Sequence, residues 1–198
     1  MTDAVGICNL ALQRLGAKSI TSLAEDSTAG RECNRVYNHA RDSELRSHPW
    51  SFARTRAQIA ADSTAPSFGF ANAFSLPSDY VRLLPARSVA NTSVTLGGID
   101  ASIDWQIEGR KILTNDKSRL DIVYLKTVTD PNDFDTLFVD LLVSRIAMDV
   151  AEKITQSNTK KANAEGRYKV AKDEAKKANA FERPPQEAPE DTWVLARL

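Results

Sequence analysis

Histidine and cysteine, the side chains that most often bind metals or act as nucleophiles, are scarce here: two of each in 198 residues. His39 and His48 stand nine apart, with no further His or Cys at zinc-ligand spacing beside either, so neither a metal centre nor a cofactor is expected. The glycine-rich phosphate loops, the GxSxG elbow and HExxH are all missing, and the Gly97–Gly98 pair reads as a turn. Charge of one sign is missing too. Lys and Arg total 26, as do Asp and Glu, which argues against a protein that coats DNA over its whole surface. No apolar run approaches the roughly 18 residues of a membrane span, and no membrane partner is expected. The opening MTDAVGICNLALQRLG carries Asp3 where a secretory leader would carry Lys, so no signal peptide is expected.

The scarce residues that exist sit in unreactive surroundings. Cys8 and Cys33 fall on apolar stripes of helical patterns, which raises a thiol's pKa and points to a reducing, cytosolic place of synthesis. They read as two small buried apolar residues, with a single disulfide between them left open. Adjacent carboxylates such as Glu25–Asp26 and Asp173–Glu174 occupy cap positions and solvated faces, where adjacency does not make a catalytic dyad. Enzymatic activity is not expected.

What the chain does have is periodicity. Thr2 or Asp3 can cap a first helix, whose stripe runs Ala4, Ile7, Cys8, Ala11, Leu12, Leu15, and Gly16 can end it. Asp26 or Ser27 can cap a second, with its stripe at Ala29, Cys33, Val36, Tyr37, Ala40 and Glu44/Leu45 and a charged face that includes Arg41. Pro49 stops that helix, because the residue before a proline is pushed out of the α region. Residues 50–60 could be extended or a short helix, and 61–80 have the composition of an irregular connection. Strand signals then follow, including a turn at Glu108–Gly109 and alternation in RLDIVYLKTV. Together they predict one small antiparallel sheet over 75–128. Helical periodicity returns after Asp130-Pro131-Asn132-Asp133, first over Phe134–Ile154 and then over Asn158–Phe181. The last helix has an Ala-rich seam at Ala164, Tyr168, Ala171, Ala175 and Ala178.

The expected fold is therefore α+β. A four-helix bundle is built from 1–60 and 129–182, an antiparallel β insert spans 61–128, and an extended C-terminal arm covers 183–198. The arm is rich in proline and carboxylate, yet ends in Trp193, Val194, Leu195 and Leu198. Such a patch calls for docking, on a partner, a neighbouring subunit or the same subunit. From Lys153 to Arg183 nine basic residues face four acidic ones. Lys160, Lys161, Lys169, Lys172 and Lys176 could line a DNA-facing or subunit-contacting surface. Equally they could form a solvated face with i,i+4 pairs such as Glu165–Lys169 and Asp173–Lys177.

Three stretches in order, LG…I.SL.EDS at Leu15–Ser27, HPWSFA at His48–Ala53 and F.LPSDYVR at Phe74–Arg82, resemble the tail tubular protein A family of tailed phages, the head-to-tail connector or adaptor proteins. The resemblance covers residues 5–85 and is looser past residue 130. It implies a helical bundle with a β insert and no catalytic step. It also implies a homo-oligomeric ring, typically of twelve copies, in the virion, and synthesis in the host cytoplasm. The ring would join the portal protein to a tail nozzle or next tail ring, and genome DNA would pass through its lumen without sequence-specific binding. By the same resemblance the C-terminal arm would meet the portal. Pro49, Trp50 and Phe52 are expected to anchor the junction between bundle and insert. A soluble DNA-binding helical protein using Lys160–Lys177 is the alternative, and a cell-wall hydrolase a third reading with no residue to nominate.

Overall fold

The computed structural model describes residues 3–87, 94–96, 104–115 and 119–182. Four helices and two small antiparallel three-stranded sheets make the protein α+β. The chain divides into a helical unit, Met1–Ala53 with Thr127–Glu182, and a β unit that includes Arg54–Lys126.

In the helical unit each helix starts on a side chain that satisfies an otherwise unpaired amide. Helix α1 (Ala4–Leu15) is capped by Asp3, whose carboxylate accepts from Gly6 N at 2.7 Å, and ends at Gly16 in the left-handed conformation, φ 69°. Helix α2 (Thr28–Ser47) starts on Ser27, whose Oγ accepts from Gly30 N at 3.0 Å. Gly30 is required there, since a Cβ would stand 2.6 Å from the Glu25 carbonyl oxygen. As Pro49 dictates, α2 stops before His48, which is extended at φ −142° and ψ 147°. The third helix begins later than the Asp130–Asp133 cluster suggests. That cluster forms a 3₁₀ turn over Pro131–Asp133, and α3 (Thr136–Thr155) has its own cap in Asp135, which accepts from Leu137 N and Phe138 N. Ser157 caps α4 (Asn158–Phe181).

Helix α3 is the hub of this unit and lies against α1, α2 and α4. It buries Phe138, Leu141, Leu142, Val143, Ile146, Ala147, Val150 and Ala151, a face too broad for one neighbour. One expectation is corrected along α2. Arg41, placed on the charged outer face, is buried with its Nε 2.8 Å from Asp42. On the α4 seam Ala164 and Ala175 are buried, and Asn179 is buried with them.

The β unit begins earlier than composition suggests. Residues 54–60, assigned to the helices by the 60/61 boundary, form strand β1 (Arg54–Ala60), which pairs along its whole length with β8 (Arg119–Lys126), Arg54 opposite Leu125 and Ala60 opposite Arg119. Nothing local announces this, because the partner lies some sixty residues downstream. The other strands are β2 (Asn72–Ser75), β3 (Tyr80–Leu83), β4 (Pro85–Arg87), β5 (Val94–Leu96), β6 (Trp105–Glu108) and β7 (Lys111–Thr114). A single sheet over 75–128 is not what forms. One sheet runs β1-β8-β3, another β2-β7-β6, and β4 pairs with β5. The predicted turn joins β6 to β7 through Gly109 at φ 57°. Phe74 and Ile112 from one sheet meet Leu83, Leu120, Ile122 and Tyr124 from the other in a common core, with Trp105 and Tyr80 packed on it. Strand β8 is central, so its C-terminal half is buried on both faces and the alternation of its first residues gives way to a continuous apolar run.

Candidate functional site

Pro49, Trp50 and Phe52 lie in the helical unit just before β1 begins. Trp50 is 1% exposed, and its ring meets Phe138 of α3 edge-on at 5.1 Å. Phe52 lies 5.0 Å from the same ring and 6.0 Å from Phe134. The indole Nε1 donates to the Glu44 carbonyl at 2.8 Å, so Trp50 also closes the last turn of α2, where carbonyls lack helical partners. His48, with no partner evident in the sequence, sits with Nε2 2.9 Å from Asn179 Nδ2 of α4, while Asn179 Oδ1 accepts from Ser51 N at 2.8 Å. The HPWSFA stretch thus ties α2, α3 and α4 together.

Glu44 is the second convergence point. Its side chain is 1% exposed, and it accepts from Tyr168 OH at 2.7 Å and from Arg145 Nη1 at 3.1 Å, with Lys172 Nζ 3.7 Å away. Arg145 also reaches Asp149 at 2.9 Å, and both cations lie near the Tyr168 ring. Burial alone would lower the Lys172 pKa, yet the Tyr168 hydroxyl and the Glu44 charge hold it above the ordinary lysine value. A carboxylate at a stripe position signals such a network, because a buried charge survives only when paired.

The basic run of α4 does not form one free face. At about 100° per residue, Lys160 points well away from Lys161, Lys169, Lys172 and Lys176 around the helix. Lys160 Nζ donates to the Leu15 carbonyl at 2.8 Å, satisfying the C-terminal end of α1, and Lys161 pairs with Glu152 at 2.8 Å. Lys172 turns inward to Glu44. Lys176 is half-buried and Lys169 exposed. The i,i+4 pairs Glu165–Lys169 and Asp173–Lys177 are not among the ion pairs of the described residues; the α4 lysines Lys161 and Lys172 pair instead with Glu152 of α3 and Glu44 of α2. Beside α4, a groove of about 680 Å³ is lined by Arg14, Asp140, Ser144, Arg167 and Val170, with Arg14 Nη2 2.7 Å from Asp140. The arm residues Trp193, Val194, Leu195 and Leu198 lie outside the described residues.

Cys8 and Cys33 are free and fully buried, as their apolar stripes predict. The hydrogen bond to Cys33 and burial together push the Cys8 thiol well above its usual pKa, so it stays protonated at neutral pH. Near them Tyr37 is 4% exposed and its hydroxyl has no hydrogen-bond partner among the described residues. Burial pushes its pKa up to about 12. A buried hydroxyl without a partner forfeits its hydration, so Tyr37→Phe should leave stability unchanged or raise it by up to about 1 kcal/mol. Thermal unfolding of the variant checks this, and a clear loss of stability would show that the hydroxyl is bonded after all.

The sequence reading missed Glu44, Asn179 and Tyr168 as organising residues. Glu44 was visible as a charge on an apolar stripe and Tyr168 as a seam position, whereas Asn179 carries no local signal. Compared with known proteins, the chain matches no family model, and no curated protein is significantly similar to it.

Proposed function

We propose that the protein is a structural component of a phage virion, an adaptor whose copies form a ring, twelve in the family it resembles, between the portal and the tail nozzle or next tail ring. In this reading the four helices act as a bundle that builds the ring wall, and DNA passes through the lumen without being gripped. The observation that carries it is the location of the resembling stretches. LG…I.SL.EDS forms the α1–α2 connection, where Gly16 ends α1, Ile20 N donates to Asn9 Oδ1 at 2.8 Å, and Ser27 caps α2. HPWSFA supplies Trp50 and Phe52 to the aromatic cluster on α3. F.LPSDYVR supplies Phe74, Leu76 and Tyr80 to the β core. The residues that make this sequence distinctive are framework residues rather than reactive ones, as suits a protein whose product is an assembly.

The C-terminal arm is assigned to the portal, with Trp193 and Leu195 as anchors, because a buried Trp often dominates an interface. Removing residues 184–198 should abolish attachment to portal rings, seen by electron microscopy of mixtures, while circular dichroism shows unchanged helix content. Attachment at the full-length level by the truncated chain would overturn the assignment.

A further inference from the structure

A second cavity, of about 370 Å³, opens among α1, α3 and α4 and shares Arg14 and Arg167 with the groove described above. Its polar side chains come from three helices: Gln13 and Arg14 from α1, Ser144 from α3, and Lys160, Asn163 and Arg167 from α4. The α4 residues stand at i, i+3 and i+7, so one face of the helix presents all of them. Three cations line this cavity, and no Asp or Glu does.

The excess of positive charge is written into the sequence. A cation on a helix is ordinarily neutralised by a carboxylate three or four residues away. Around Arg167 those positions hold Asn163, Ala164, Val170 and Ala171, and around Lys160 they hold Gln156, Ser157, Asn163 and Ala164. Arg167 accordingly makes no hydrogen bond or ion pair among the described residues, not even with Glu174, which lines the neighbouring groove. Lys160 Nζ directs one of its three protons to the Leu15 carbonyl at 2.8 Å, a neutral acceptor. That contact also screens the carbonyl end of α1, which would otherwise repel an anion. Arg14 is the exception, since its Nη2 lies 2.7 Å from Asp140, a residue that lines the groove but not the cavity. With Asp140 counted against Arg14, the charges of Lys160 and Arg167 remain uncompensated.

We infer that this cavity binds a small oligophosphate, the linked phosphoryl groups of a di- or triphosphate. Guanidinium forks match the paired oxygens of a phosphoryl group, and an ammonium adds a point charge that suits any of them. The amides of Gln13 and Asn163 supply further donors at the same wall. The volume would hold about a dozen waters at roughly 30 Å³ each, so a single tetrahedral anion fills only part of it. Duplex DNA presents its phosphates on a convex surface and would meet only the rim. No part of this inference uses the virion reading, and its test contains no portal, so the two fail independently.

The test is equilibrium dialysis of the full chain against radiolabelled tripolyphosphate at fixed ionic strength, with inorganic sulfate as competitor. Saturable binding is expected, with sulfate at least about tenfold weaker because it reaches fewer of the donors. Arg167→Gln should weaken tripolyphosphate by roughly tenfold or more, the loss of one hydrogen bond to a charged group. Its circular dichroism should be unchanged, because Arg167 holds nothing in the fold. Lys169→Gln removes an exposed charge about 200° around α4 from Arg167 and should leave the affinity within about twofold. Absence of saturable binding, an unchanged affinity in Arg167→Gln, equal weakening by both variants, or sulfate binding as tightly as tripolyphosphate would each overturn the site. Duplex DNA that binds through Arg167 while tripolyphosphate does not would transfer this face to a DNA-binding role and overturn it as well.

Discussion

Replacing Trp50 by alanine should cost about 3–5 kcal/mol, the largest single-residue effect in the helical unit. Three losses coincide at this position. The indole is almost wholly buried, so its truncation opens a large cavity that α3, held on three sides, cannot close. The edge-on contact with Phe138 and the stacking on Phe52 at 6.3 Å disappear, leaving Phe138 with Phe52 and Phe134 only. The Glu44 carbonyl also loses the indole donor at the end of α2, though the Ser47 hydroxyl remains at 2.9 Å. Tm should fall by roughly 6–20 °C for a chain of this size. Trp50→Phe separates these contributions in part: it keeps a six-membered aromatic ring but loses the N–H donor and the remainder of the indole, so about 1–2 kcal/mol should go. Chemical denaturation of both variants measures the difference. Equal losses would mean that the hydrogen bond, and not the ring, holds the site.

Glu44→Ala should destabilise by about 3 kcal/mol, or roughly 6–12 °C in Tm. The local charges are Glu44 and Asp149 against Arg145 and Lys172, so the cluster sums to zero with Glu44 present and to +1 without it. Removing one member of a buried group costs more than the pair contributes, because the remaining charges have already left water. The partly exposed Arg145 and Lys172 can recover some hydration, which keeps the figure at the low end of the range for buried pairs. Glu44→Gln retains an acceptor for Tyr168 but not the charge and should fall between wild type and alanine. The diagnostic measurement is the cycle with Lys172→Met: deleting the surplus cation should restore part of the loss, giving a positive coupling of about 1 kcal/mol or more. Strict additivity would show that the two groups do not interact. The pH dependence has a defined sign. Lys172 has a raised pKa in the folded state, so its contribution is complete below the ordinary lysine pKa near 10.5 and is lost as pH rises through the higher folded value.

Because Trp50 Nε1 bonds the backbone of Glu44, the aromatic cluster and the charge network meet at one residue. The end of α2 is therefore the point where α3 and α4 are both referenced, and combined substitutions at 44 and 50 should not add.

Much of this arrangement was written locally. Caps at the starts of α1 and α2, each narrowed to two candidates that include Asp3 and Ser27, the Gly16 terminus, the stop before Pro49 and the bounds of α4 depend on a few consecutive residues, and they were legible in the sequence. So were the buried thiols, which follow the helical period. The α+β class and the order of elements come from the same short-range signals. What only the tertiary structure decided are the long-range pairings. The β1–β8 ladder joins segments far apart, so neither the start of the β unit at Arg54 nor its two sheets could be read from strand propensity alone. The inward turn of Lys172, the grip of Asn179 on His48 and Ser51, and the closure of α1 by Lys160 likewise depend on α4 returning beside α1, α2 and α3. A lysine or asparagine on a helix looks the same in sequence whether it faces water or a buried partner. The partner's position, set by the fold, makes the difference.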